Sequence, residues 1–136
     1  MISTYHQAII DKLSTIPNIQ RVTYSYDNGI GSYPHGCAVF VSMAEEYETQ
    51  IQVRRIYVFN IMLQTLVLDG DDRNVIYKQF EDIIADVYAK FGRNSIDGAT
   101  LTRPTESIVY EEMQEEREKL MATISLQVEN IERVSR

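Results

Sequence analysis

Apolar residues recur at two different periods along this chain, and the changes of period predict its elements. Tyr5, Ile9, Leu13 and Ile16, with Ala8 and Lys12 between them, repeat at helical spacing and form one apolar stripe. Thr4 and Gln7 fit a capping box at the start of that helix, and Pro17-Asn18 stops it. From Gln20 to Tyr26 the period falls to two, with Val22, Tyr24 and Tyr26 against Arg21, Thr23 and Ser25, as in a half-buried strand. Asp27 to Gly36 is turn chemistry throughout. Cys37 to Val41 is a short, almost wholly apolar strand. Ser42 to Gln52 is polar and acidic, and a surface loop or short helix is expected there.

The stretch from Val53 to Leu68 organises the rest. It is rich in β-branched and aromatic residues and holds no Gly or Pro, which favours a strand. Tyr57, Phe59, Ile61, Leu63 and Val67 form one apolar face. Ile56, Val58, Met62, Leu66 and Leu68 form the other, interrupted by Asn60 and Gln64. A sheet buried on one side needs only one such face, so the second needs a cover. Fully extended, the stretch spans about 50 Å. A compact chain of this length is roughly 40 Å across. The strand therefore bends or projects, and its surplus apolar surface, Val58, Met62 and Leu66, is expected to meet another subunit.

Asp69 to Asp72 ends that strand and caps a second helix, where acids complement the helix dipole. Val75 or Ile76, then Phe80, Ile83, Ile84, Val87 and Phe91, share one face of it, and Gly92 terminates it. Ile96 to Pro104 reads as irregular or a weak edge strand, and Ser107 to Tyr110 as a short strand. Glu111 to Lys119 is a charged hairpin tip or loop. Leu120 to Glu129 alternates most cleanly of all, and a polar tail, ordered against a partner, follows from about residue 130. The order is α-β-β-β-α-β-β in a single domain over residues 1–136. The fold class is α+β: two layers, with a mostly antiparallel sheet and two α-helices packed on one face. Tyr57, Phe59, Ile61 and Leu63 are expected to meet Ile9, Leu13, Phe80, Ile84 and Val87.

A net charge of -7 disfavours a sequence-reading DNA binder, which carries a basic face. The basic residues are scattered, and the interior pair Arg54-Arg55 reads as a solvated or interface feature. Cys37 is the single cysteine, so no internal disulfide forms and a reducing compartment is expected. No signal peptide is read at the N-terminus, and the longest apolar stretch is too short and too polar for a membrane span. A soluble, intracellular chain is expected.

Two histidines, one cysteine and no tight glycine motif leave little for catalysis, and no enzyme, cofactor or metal site is expected. First-turn His6 reads as exposed, with no metal-ligating residue one turn on. Gly29 and Gly31 lack the third glycine and following helix of a nucleotide fingerprint. The acids before the second helix lack the loop of a calcium site. Tyr33, Pro34 and His35 are expected in an exposed loop that can act as a contact surface, with Tyr47 in a second loop.

The whole chain resembles the tail terminator (tail completion) proteins of long-tailed bacteriophages. The likeness lies in the Tyr5–Ile16 helix, the unit ending Gly36-Cys37-Ala38-Val39-Phe40-Val41 and the strand Arg55-x-Tyr57-x-Phe59-x-Ile61-x-Leu63. It continues in the helix through Phe80 to Phe91 and the final alternating strand. The resemblance implies a homo-hexameric ring at the head-proximal end of the tail tube, in the virion, after assembly in the host cytoplasm. That ring stops tube polymerisation and joins the head. Its partners are itself, the tail tube protein and a head-completion (connector) protein, with double-stranded DNA passing through the lumen unread, and no membrane. In that family a long hairpin or loop reaches the neighbouring subunit. The candidates here are Asp27–Gly36 and Glu111–Lys119, with Glu112, Met113, Glu115 and Glu116 at the tip of the second. Tyr33, Pro34, His35, Tyr47, Arg54, Arg55, Val58 and Met62 complete the expected subunit or tube interface. Two alternatives stand beside it: a neck or head-completion protein, and a cytosolic dimeric ligand-binding regulator with a ferredoxin-like sheet.

Overall fold

The computed structural model describes residues 1–25, 32–67, 72–92, 96, 98–114 and 117–133. Its elements are α1 (Ile2–Leu13), β1 (Arg21–Thr23), β2 (His35–Thr49), β3 (Gln52–Val67), α2 (Arg73–Lys90), β4 (Leu101–Gln114) and β5 (Arg117–Arg133). One five-stranded sheet runs in the order β1-β2-β3-β5-β4. Only the β1–β2 pair is parallel; the other three are antiparallel. Both helices lie on one face, so the α+β architecture is the expected one.

β3 is central because its odd residues are apolar and both flanking strands match them. Phe59 lies between Phe40 and Leu126, Ile61 between Ala38 and Ile124, and Leu63 between Gly36 and Ala122. A side chain at Gly36 would bring a carbon to 3.3 Å from Leu63 Cδ2, so glycine there lets the Leu63 side chain lie close. Tyr5, Ile9 and Leu13 of α1 and Phe80, Ile83 and Val87 of α2 close over this face as one core, with Ile84 half-buried beside them. Each such large side chain contributes roughly 2 kcal/mol on burial. The contacts expected between β3 and the two helices are of this kind.

Local signals fare unevenly. α1 begins at Ile2, and no side chain caps it, so the capping box at Thr4 and Gln7 does not form. Gln7 instead bonds Asp11 one turn on, at 2.8 Å. The Asp72 cap does form: its carboxylate accepts from Asn74 N–H at 3.0 Å. α2 ends at Lys90, with Phe91 as its cap and Gly92 just beyond.

The strands run longer than local composition indicates. Ser42 to Gln52 is no loop or helix, because β2 continues to Thr49 and turns straight into β3. The segment Ile96–Pro104, expected as irregular or a weak edge strand, enters the edge strand β4 at Leu101, and most of Glu111–Lys119 is paired strand. Asn130 to Arg133, expected as tail, pairs with Arg55 to Gln52. In each case an acidic or polar stretch lies opposite a long strand whose backbone groups need partners, and that outweighs its weak strand propensity. β3 therefore projects at its N-terminal end, carrying β2 out with it. Every residue from Val41 to Ile51 is exposed.

Candidate interaction surface

The projecting β2–β3 hairpin is an arm whose register brings opposite charges together. Glu45 lies opposite Arg55 and Glu46 opposite Arg54. Arg55 Nε reaches Glu45 at 3.0 Å, and its guanidinium also pairs with Glu132 of β5. Arg54 reaches Glu46 at 3.2 Å and Glu129 at 2.5 Å. Each arginine thus bridges three strands, one on each face of the sheet. The hydrogen bond to Glu129 drives the Arg54 guanidinium above its ordinary range. The bonds to Glu45 and then Glu132 do the same for Arg55. These arginines are committed to the arm's own glutamates and do not form a phosphate site. The pairs to Glu45, Glu46 and Glu132 are exposed and add little to global stability, whereas Glu129 is buried and needs its partner; together they fix the arm's register.

The arm is also apolar. Val41, Met43, Tyr47 and Ile51 are 50%, 43%, 74% and 42% exposed. On the helix side, Met43 and Arg55 line an open cleft of about 510 Å³ with Met1, Ile2, Ser3, Tyr24 and Tyr57. Flexible methionine and large aromatic side chains around a groove suit protein contact. Tyr47 does not lie in a loop: it stands in β2 opposite Val53.

The sheet face away from the helices holds the other expected apolar residues. Val58 lies between Ser42 and Gln127, and Met62 between Cys37 and Thr123. Val58, Met62 and Leu66 are half-buried by such neighbours, so the patch is narrower than its residues alone imply. Among the described residues no helix covers this face.

Both histidines are buried, against expectation. His6 is 8% exposed; its Nε2 donates to Ala38 O at 2.7 Å and its ring stacks on Tyr24 at 3.7 Å. His35 is 3% exposed and opens β2. Thr23 donates its hydroxyl to Ser25 O at 2.7 Å, so it accepts from His35 Nε2–H, also at 2.7 Å. His35 Nδ1 then accepts from Gln64 at 2.6 Å. The side chain fastens β1, β2 and β3 together and is not a loop-tip contact. Tyr33 and Pro34, just before it, are half-buried.

Glu112 and Met113 belong to β4, opposite Lys119 and Glu118. Glu115, Glu116 and Asp27–Gly31 lie outside the described residues. Among the described residues no cluster of His, Cys, Asp and Glu fit for a metal occurs, and no helix is long and apolar enough to cross a membrane.

No protein-family profile and no curated protein matches the chain. One solved structure is similar over 93% of this chain and 92% of its own, at 14% identity and a TM-score of 0.49. A likeness at that level assigns neither a family nor a function.

Proposed function

We propose that this protein is a tail terminator: a structural, non-enzymatic virion protein that forms a hexameric ring at the head-proximal end of a phage tail tube. The observation that supports this reading is the projecting β2–β3 arm. It exposes apolar side chains, is cross-linked by ion pairs between its strands, and is set on a helix-backed sheet. In the proposed ring each arm lies against the next subunit head-to-tail, a heterologous contact that closes. In this reading the arm stands beside Asp27–Gly36 and Glu111–Lys119 as a reaching element.

One face of the ring docks on the growing tube, and the other lacks the surface that would receive a further tube subunit. Polymerisation stops for want of a complementary end, and that same face receives the head-completion protein. The net charge of -7 suits a lumen through which DNA slides, since a basic lining would hold phosphates.

Electron microscopy of tails assembled without this protein tests the reading. Overlong tubes are expected. Tails of normal length that lack heads would instead assign the protein to the neck. A ferredoxin-like fold runs β-α-β-β-α-β, whereas this chain runs α-β-β-β-α-β-β.

A further inference from the structure

We propose that the cleft between α1 and the arm receives the arm tip of a second copy of this chain, with Tyr47 as the apolar anchor and Glu48 as the charged contact. The head-to-tail sense of this contact rests on the ring reading above, and the test below separates the two. Ile2, Tyr24 and Met43 give the cleft apolar walls, and its polar groups single out an occupant.

Those polar groups are donors. α1 has no side-chain cap and no acid in its first turn, so Ile2 and Ser3 bring N–H groups to the cleft that lack intrahelical partners. Tyr57 also lines the cleft, although it is 3% exposed. The neighbouring Tyr5 hydroxyl bonds Asn130 and Gly98, but the Tyr57 hydroxyl has no partner among the described residues and is not sealed from solvent. A phenol so deeply set calls for a hydrogen-bond partner from outside. Arg55 offers less, because Glu45 and Glu132 already share its charge. Amides at a helix start and a phenol together suit a carboxylate, which accepts from both. The cleft therefore fits a carboxylate carried beside a large apolar side chain.

The chain carries that combination at its own arm tip. Tyr47 is the most exposed large apolar side chain among the described residues. Glu48 follows it, within the irregularity between Tyr47 and Thr49. Arg54 and Arg55 take up Glu45, Glu46, Glu129 and Glu132, whereas Glu48 has no ion pair among the described residues. The tip cannot serve its own cleft. Met43 lines the cleft, and Glu48 stands about 15 Å farther along the extended β2 strand. A second copy is therefore the source of the tip. A tip seated in one neighbour leaves its own cleft open to the next, so the contact is heterologous and propagates as a ring requires.

Disulfide trapping of the full chain tests the proposal, with far-UV circular dichroism confirming the fold of each variant. One preparation carries Ser3→Cys and the other Thr49→Cys, both at exposed positions beside the proposed contact. Cys37 stays in place because it is buried. Mixed at high concentration and mildly oxidised, the two should form a disulfide joining one chain of each kind, well above either preparation alone. Adding Tyr47→Ala to the second chain should lower that yield about tenfold or more, as for an anchor residue. Adding Glu48→Lys instead should lower it about fivefold. No mixed disulfide, an equal yield from either preparation alone, or a yield indifferent to both substitutions would each overturn the proposal. Tails assembled without the protein supply the comparison. Overlong tubes with no mixed disulfide would keep the terminator and remove this contact; a mixed disulfide with tubes of normal length would do the reverse.

Discussion

The Asn130 amide donates to the Tyr5 hydroxyl oxygen across 3.1 Å and so ties the end of β5 to the first turns of α1. Both groups also reach Gly98 O, the amide at 2.8 Å and the hydroxyl at 3.2 Å. The Tyr5 ring packs edge-on to Tyr57 at 5.1 Å. Asn130, expected in a tail, is therefore part of the joint that seats α1 on the sheet.

That joint makes stability depend on pH in a definite direction. Burial holds the Tyr5 hydroxyl above its ordinary value of 10.0, with the Asn130 hydrogen bond pulling the other way. For a group raised in the fold, the stabilising contribution is complete below the ordinary value and is lost as pH rises beyond it. Tyr5→Phe should cost about 1 kcal/mol at neutral pH, through the lost hydrogen bonds. Above pH 10 the gap between variant and wild type should narrow, because only the wild type must ionise or hold back that phenol. Urea unfolding midpoints on either side of pH 10 measure both; a gap that widens there refutes the assignment.

His35 should carry a ring proton on Nε2. Thr23 has given its only hydrogen to Ser25 O, so the hydroxyl can only accept from the ring. Nitrogen-detected NMR of the side chain reads the tautomer directly. A proton on Nδ1 would contradict the order of donors. His35→Phe keeps the bulk but strands the Thr23 and Gln64 groups, at a cost of about 1–3 kcal/mol.

Glu118 anchors the start of α2. It is 7% exposed and receives Arg73 through both guanidinium nitrogens, one at 2.8 Å, while Tyr77 O–H donates to it at 3.3 Å. Glu118→Gln keeps the shape and removes the charge. Its expected cost is about 1.5–3 kcal/mol, the range for hydrogen bonds to a charged group. Amide exchange across residues 73–77 should quicken more than at Ile83 or Val87, which pack in the core. Uniform quickening along α2 would mean that Glu118 is not a local anchor.

The faces of β3 and β5 and the apolar stripes of α1 and α2 were legible because each follows a period that only one element satisfies. Tyr57, Phe59, Ile61 and Leu63 face the helices for that reason. The arm was not legible, since Glu45, Glu46 and Glu48 are poor strand formers read alone. A usable signal was present: Glu45 and Glu46 mirror Arg55 and Arg54 about the turn at Gln50-Ile51, as hairpin partners do. The burial of His6 and His35 left no such mark. It depends on where Ala38 O, Thr23 and Gln64 come to lie in space, and no period encodes that.

The arm separates folding from function in a testable way. Arg54→Glu with Arg55→Glu places two more acids against Glu45, Glu46, Glu129 and Glu132, so every bridge across the arm becomes a repulsion. Yet the core residues Phe59, Ile61, Leu63, Ile83 and Ile124 belong to the helix-covered face, and of the four acids only Glu129 is buried, so the main cost falls on the arm itself. Local opening without global unfolding is therefore expected. Amides from Met43 to Val53 should exchange much faster, while those of α1 and of β3 from Phe59 onward keep their protection. If the arm is the reaching element of a ring, the same folded variant should fail to limit tube length in assembled tails. A variant whose arm opens while tube length stays normal would remove the arm from the mechanism and leave the fold untouched.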